Sequence, residues 1–249
     1  MATAFGWRIF LRSLLVQSSW NFAGLQNLGF FFMTWPALAR RRLPAEQATN
    51  AALRSLKNFN THPYFAGLVA AAVITHEADG GSKESVEGLK RSLMCALGAV
   101  GDDFFWATLR PFAAVVTLPA ALAGAVWAPL VMLAIYNAPH LGIRAWGIKA
   151  GFSGGSGIVE MLKRRPLTRA VPVLGAATTA ITGFLVGAAA FDRSWGLLPG
   201  HGLVSLGVAV SLFLLLVLVQ SLGLGQGRLL ACLSAVAAVA GAVRVAGAP

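Results

Sequence analysis

Charge is the scarcest property of this sequence. Only 12% of the 249 residues are Asp, Glu, Lys or Arg, where a soluble globular domain carries about a quarter. With 57% hydrophobic residues and a mean hydropathy of +0.70, an ordinary soluble fold is excluded. Acids are scarcest of all, 9 against 20 Lys and Arg, for a net charge of +11. On a soluble chain that excess would suggest nucleic acid. Here the bases lie between apolar segments and no aromatic-interleaved RNA-binding motif occurs, so the positive-inside rule accounts for them and no nucleic-acid partner is expected. Cysteine is nearly absent: Cys95 and Cys232 lie far apart without a CxxC. That excludes a zinc ribbon or redox pair, and both read as small buried hydrophobes. A cleavable signal peptide is not expected either. Arg8 and Arg12 are followed only by Leu14-Leu15-Val16, without a small-residue cleavage site.

Ligand sets for catalysis are also missing. His76, Glu77 and Asp79 fall in a Gly-rich stretch without metal-ligand spacing and read as a solvated loop. His140 and His201 stand isolated at expected membrane boundaries. The stretch 151–157 is glycine-rich but lacks the Lys-Ser/Thr of a P-loop, and reads as a flexible turn. No catalytic residue, metal or cofactor is expected.

What the sequence does have is long uncharged runs. The run from Pro111 to Pro139 holds no charge. It exceeds the roughly 20 residues a spanning helix needs, with kinks expected at Pro119 and Pro129. Val171 to Phe191 and Gly202 to Gly227 are the next spans, and the shorter Leu229 to Val243 is a tilted or half-buried fourth. Segment 140–170 carries Arg144, Lys149, Lys163, Arg164, Arg165 and Arg169 against the one acid Glu160. It is expected to be a cytoplasmic loop, and 192–201 to face outward. The expected fold is therefore an all-α integral membrane protein: a polytopic helical bundle with re-entrant or partly buried helices in its N-terminal half. Residues 1–110 form a polar-motif half, and 111–249 the transmembrane helices with the basic loop.

In the first half, Pro44-Ala45-Glu46 predicts a helix start, with Ala52, Leu56 and Phe59 on one face and Arg54 and Lys57 off it. It should stop near Thr61-His62-Pro63. Ser82 predicts the N-cap of a second helix with an apolar stripe at Val86, Leu89, Leu93 and Leu97, an i,i+4 pair of Glu87 with Arg91, and an end at 98–101. Tyr64 to Thr75 between them is apolar but too short to span, and should be buried in protein or re-entrant. Phe22 to Leu38 has the same ambiguity.

Two clusters offer chemistry. Asn60, Thr61 and His62 place an amide, a hydroxyl and an imidazole side by side, suited either to sugar hydroxyls or to a satisfied turn. Asp102 and Asp103 are adjacent acids in apolar sequence, next to Phe104, Phe105 and Trp106. Carboxylates accept hydrogen bonds from sugar diols and aromatic rings stack on a pyranose. The same acids also suit a helix N-cap, with Arg110 near enough to pair. A metal-dependent membrane enzyme built on Asp102, Asp103 and His62 would have an incomplete ligand set.

Three runs carry a resemblance: Ser19-Trp20-Asn21-Phe22 with Gln26-Asn27-Leu28-Gly29-Phe30, Phe59-Asn60-Thr61-His62-Pro63-Tyr64, and the whole of 98–111 around Gly101-Asp102-Asp103-Phe104-Phe105-Trp106. In order and separation they resemble the IID component of the mannose/fructose/sorbose phosphotransferase family. The resemblance implies a sugar permease subunit of the bacterial cytoplasmic membrane that works with a IIC subunit, in a trimer of heterodimers. The sugar would be phosphorylated through IIA and IIB, with IID not itself phosphorylated. It further implies Asn60, Thr61 and His62 as sugar-site or core-lining residues, joined by Gln26, Asp102, Trp106 and Arg110. Asp103 departs from the family pattern, where a small or apolar residue follows Gly-Asp. A diverged, non-transporting structural or regulatory relative is the alternative.

Overall fold

The structure is a computed structural model in which residues 2–40, 44–154, 158 and 166–191 are described. The spans expected at 202–227 and 229–243, the outward loop at 192–201, His201 and Cys232 lie outside them. The described residues are helical, joined by short extended segments with two isolated β-bridges, Asn21 to Leu25 and Leu25 to Phe59. In order the helices are α1 (Ala2–Ser13), α2 (Asn27–Arg40), α3 (Ala45–Leu56), α4 (Ala66–Ala78), α5 (Lys83–Gly101), a π-helix (Asp102–Leu109), α6 (Arg110–Leu122), α7 (Ala128–Gly154) and α8 (Pro166–Phe191). The chain divides into two compact units, Met1–Gly175 and Ala176–Pro249, and all three motifs fall in the first.

Helix α4 is the axis of this first unit. Every residue from Ala66 to Ile74 is buried, as a helix that is apolar all round must be. Helices α1, α2, α5 and α7 pack on it. The tightest approach is to α7, where Gly147 and Gly151 stand four apart. A methyl on Gly151 would lie 2.5 Å from the Leu68 carbonyl oxygen, and one on Gly147 would lie 3.2 Å from Leu68 Cβ. This is the small-xxx-small contact by which helices approach closely where the hydrophobic effect supplies little drive.

Helix starts follow the sequence closely. Ser82 caps α5, its hydroxyl accepting from Ser85 N–H at 3.2 Å, and α3 starts directly after Pro44 with Glu46 in its first turn. Val86, Leu93 and Leu97 are buried as expected, with Leu89 partly so.

Helix ends depart from expectation. α5 does not stop at 98–101: Lys83–Leu122 is one continuous helix of 40 residues, and it and Leu167–Val186 are long and apolar enough to cross a membrane. The glycines there admit a neighbouring segment instead of ending the helix. The run from Pro111 to Pro139 is not one span. α6 ends at Leu122 and α7 begins at Ala128, with Gly124 at φ +80° in the turn between them. That φ suits glycine, and Pro119 and Pro129 flank the break. The expected basic loop is helical through Gly154, so Arg144 and Lys149 lie within α7, and Gly151 is a helix contact rather than a flexible turn. α3 ends at Leu56, before Thr61, and Ala51 and Ser55 are its buried residues.

Several pairings also differ. Glu87 pairs with Lys57 at 2.6 Å rather than with Arg91. Arg54, expected off the buried face, pairs with Glu77 at 2.7 Å, so Glu77 is not in a solvated loop. Cys95 is exposed.

Candidate functional site

The π-helix decides what the 98–111 motif presents. Pro111 has no N–H, and its ring crowds the carbonyl four residues back, within the π segment. The widened π register absorbs that conflict, and π segments are frequent at functional sites. Thr108 Oγ1 donates to the Asp103 carbonyl at 2.8 Å, five residues back. Phe104, Phe105, Thr108 and Leu109 turn inward, while Asp102, Asp103, Trp106 and Arg110 are exposed. Asp102, Trp106 and Arg110 stand four apart, on one face. Arg110 forms no ion pair with either acid, and neither acid is an N-cap, since the helix runs through them.

The second motif packs against the first. Residues 57–65 run past α5 at Gly98 and Gly101. A methyl on Gly98 would lie 3.8 Å from the Thr61 Cα, and one on Gly101 would overlap His62 Cβ and Cγ. This close approach is why glycine sits at 101. The His62 ring then stacks on Phe105 at 5.0 Å and 13°, and lies 4.9 Å from the Trp106 ring.

Gln26 comes from the third motif and serves the second. Leu25 adopts φ +59°, a left-handed conformation unusual for a residue with a Cβ. It closes a tight loop with Asn21, with backbone bonds of 3.1 and 2.8 Å. Gln26 is thereby buried and holds Thr61 at both backbone groups: Nε2 donates to Thr61 O at 2.9 Å and Oε1 accepts from Thr61 N at 3.1 Å. One N–H and one carbonyl lone pair of its amide are engaged in this clasp.

The clasp fixes two side chains that each carry one unpartnered buried atom among the described residues. Among the described residues, Thr61 Oγ1 and His62 Nε2 are buried without a hydrogen-bond partner. His62 Nδ1 accepts from Tyr64 N–H at 3.4 Å, which leaves the ring proton on Nε2. Burial, then the Arg144 guanidinium and then His140 pull the His62 pKa down to about 3. The ring is a neutral donor at physiological pH. Such orphans are uncommon, since an unpaired buried polar group costs about 1–3 kcal/mol. Asn60 is exposed beside them.

Behind His62 lies a polar stack that the sequence did not reveal. Tyr64 stacks on His140 at 3.8 Å and donates to Tyr136 Oη at 3.1 Å. Arg144 is buried, donating from Nε to His140 Nε2 at 2.9 Å and from one terminal nitrogen to Ser13 O and Oγ at 2.5 and 2.8 Å. His140 is therefore not isolated. The i,i+4 spacing of His140 and Arg144 is the signal in the sequence, and it has meaning only once the segment is helical. No cluster of three metal-ligating side chains occurs among the described residues.

The arrangement brings all seven sequence-derived residues into one region, in three roles. Gln26 clasps the backbone. Thr61 and His62 are buried donors and acceptors. Asn60, Asp102, Trp106 and Arg110 are exposed polar and aromatic groups.

This chain is similar to several known proteins. The family model for the PTS system mannose/fructose/sorbose family IID component matches residues 4–189. The mannose-specific EIID component of Escherichia coli K12 is 35% identical over 176 residues, covering 67% of this chain and 62% of that protein. The sorbose-specific EIID component of Klebsiella pneumoniae is 36% identical over 176 residues, 67% of this chain and 64% of that one. The aligned stretch is thus under two thirds of these relatives' length. A solved membrane protein shares 30% identity with a TM-score of 0.66, over 74% of this chain and 70% of that one. A chain of the mannose transporter ManYZ, solved by cryo-electron microscopy with microcin E492, matches in fold: 24% identity, TM-score 0.58, and 97% and 96% coverage. This chain is a membrane protein and belongs to the IID component family of the mannose/fructose/sorbose phosphotransferase system.

Proposed function

We propose that this chain is the IID membrane subunit of a sugar permease, acting with a IIC subunit to move a hexose or related sugar that is phosphorylated through IIA and IIB. It works in a trimer of IIC–IID heterodimers, crossing the bacterial cytoplasmic membrane several times. Residues 1–110 supply the polar surface of the permease, and residues 111–249 mainly anchor it. Relatives named for mannose, sorbose and fructose support a sugar of this class.

The observation that carries the reading is the pair of orphaned atoms, Thr61 Oγ1 and His62 Nε2, held by the Gln26 clasp. A neutral donor and a hydroxyl, both desolvated, are matched to a neutral polyhydroxyl ligand or to the partner surface that encloses it. Asn60 and Asp102 add acceptors and Trp106 a face for a pyranose, while Arg110 completes the polar edge. IID itself carries no phosphoryl group.

The test uses membrane vesicles containing the cognate partners, with Asn60→Ala, Thr61→Val and Asp102→Asn. Each is expected to lower uptake and phosphorylation at least ten-fold (about 1.4 kcal/mol) while the complex still assembles. Unchanged uptake in all three would show that the site lies elsewhere.

A further inference from the structure

Away from the polar site, α1 and α7 enclose an open groove of about 720 Å³. Gly6, Trp7 and Phe10 form one wall, and Leu141, Ala145, Ile148 and Phe152 the other. Its polar lining is confined to Lys149 and Ser153, toward the C-terminal end of α7. Ser153 donates to the Lys149 carbonyl at 2.9 Å, so its hydroxyl proton is committed within α7 and Lys149 is the free donor of the lining. Lys149 forms no ion pair among the described residues.

The dimensions select an occupant. From Leu141 to Ser153 the groove follows α7 for about 18 Å at the rise of an α-helix. Half the hydrocarbon core of a bilayer is about 15 Å deep. An apolar trough of leaflet depth, with a cation at one end, has the shape and polarity of a lipid: chain along the trough, headgroup at the lysine. Trp7 is 62% exposed at the groove wall and stacks on Phe10 at 5.4 Å, the kind of amphipathic ring that settles at the headgroup level. The basic residues Lys163, Arg164, Arg165 and Arg169 follow Lys149 in sequence. Their sign complements an anionic leaflet, and basic pockets between membrane helices bind anionic headgroups.

We propose that the α1–α7 groove binds one anionic glycerophospholipid, with an acyl chain against Phe10, Ala145 and Ile148 and its phosphate at Lys149. The lipid completes the packing between α1 and α7 that Arg144 begins at Ser13.

Native mass spectrometry of the full chain in mixed micelles, titrated with phosphatidylglycerol or phosphatidylcholine, tests this. The wild type is expected to retain one phosphatidylglycerol in preference to phosphatidylcholine. Lys149→Gln should reduce that preference about five-fold, the effect of one basic residue near a charged headgroup. Ala145→Trp fills the trough and should abolish retention of both lipids. Leu141→Trp repeats that block at the other end, should Ala145→Trp fold poorly. Equal retention of the two lipids, or a preference that survives Lys149→Gln, overturns the proposal. Retention that survives both tryptophans marks surface adsorption and also overturns it. A wild type that keeps no lipid overturns it as well, and leaves the groove to a protein helix.

Discussion

Two polar clusters are buried in the same unit, both against α5, and they are finished differently. In the first, Lys90 is 7% exposed. Its ammonium donates to the carbonyls of Arg54, Ser55 and Lys57 at 3.1, 3.5 and 3.0 Å, and lies 4.7 Å from the Phe30 ring centre. It closes the C-terminus of α3, where carbonyls lack helical partners and a cation is favoured. Arg54 in turn meets Glu77. In the second cluster Gln26 fixes the backbone just as firmly, yet Thr61 Oγ1 and His62 Nε2 find no partner among the described residues. Satisfied groups hold helices together. Groups held rigid and left unsatisfied cost stability, and that cost is offset only when something binds them.

The comparison is broken most easily at its satisfied end. Lys90→Met removes the ammonium shared by three carbonyls, of which Arg54 O keeps the Lys57 N–H at 3.3 Å, and should destabilise the protein by about 3 kcal/mol. It should lower the thermal midpoint of the detergent-solubilised protein sharply, and uptake should fall only as far as folded protein falls. A specific uptake defect in the folded fraction would place Lys90 in the function instead.

Acidity probes the other cluster. The His62 pKa is lowered from the ordinary 6.5 to about 3, so the unfolded chain binds this proton more readily than the folded one. The stability it contributes is fully present above pH 6.5 and is lost as pH falls toward 3. Between pH 7 and pH 5 the loss is about 2 kcal/mol. Thermal unfolding should show that slope, and His62→Gln should flatten it. An unchanged slope in the variant would mean that the imidazole is not held neutral by its surroundings.

The smallest effect belongs to the rim of the first cluster. Lys57 is 54% exposed in its pair with Glu87, and exposed pairs contribute about 0–1 kcal/mol. Lys57→Ala should shift the unfolding midpoint barely, and less again in high salt.

How much of this was legible in the sequence follows the same division. Local signals were readable: the Ser82 cap, the Pro44 start, the 86–97 stripe and the burial of α4 all depend on residues within one helix. The grouping of Asn60, Thr61, His62, Asp102, Trp106 and Arg110 came from motif resemblance, since no local pattern links residues so far apart. Three things were not readable because they depend on contacts distant in sequence. Gly98 and Gly101 look like a helix end, but the His62 side chain is what requires position 101 to be small. Gln26 looks like a ligand residue until its two bonds to Thr61 are seen. Arg144 looks like a loop charge until Ser13, 131 residues away, is found beneath it.

The proposed function rests on Thr61 and His62 being left unsatisfied for a ligand or partner, and Thr61→Val tests that most directly. The variant is isosteric at the Cβ branch and removes only the orphaned hydroxyl. Unfolding midpoint and sugar uptake should be measured on the same preparation with the cognate partners. The predicted result is a midpoint unchanged or raised, corresponding to a stability gain of up to about 1 kcal/mol from losing a buried unpaired group, together with uptake reduced at least ten-fold. A raised midpoint with uptake intact would contradict the claim and leave the orphaned hydroxyl without a role in transport.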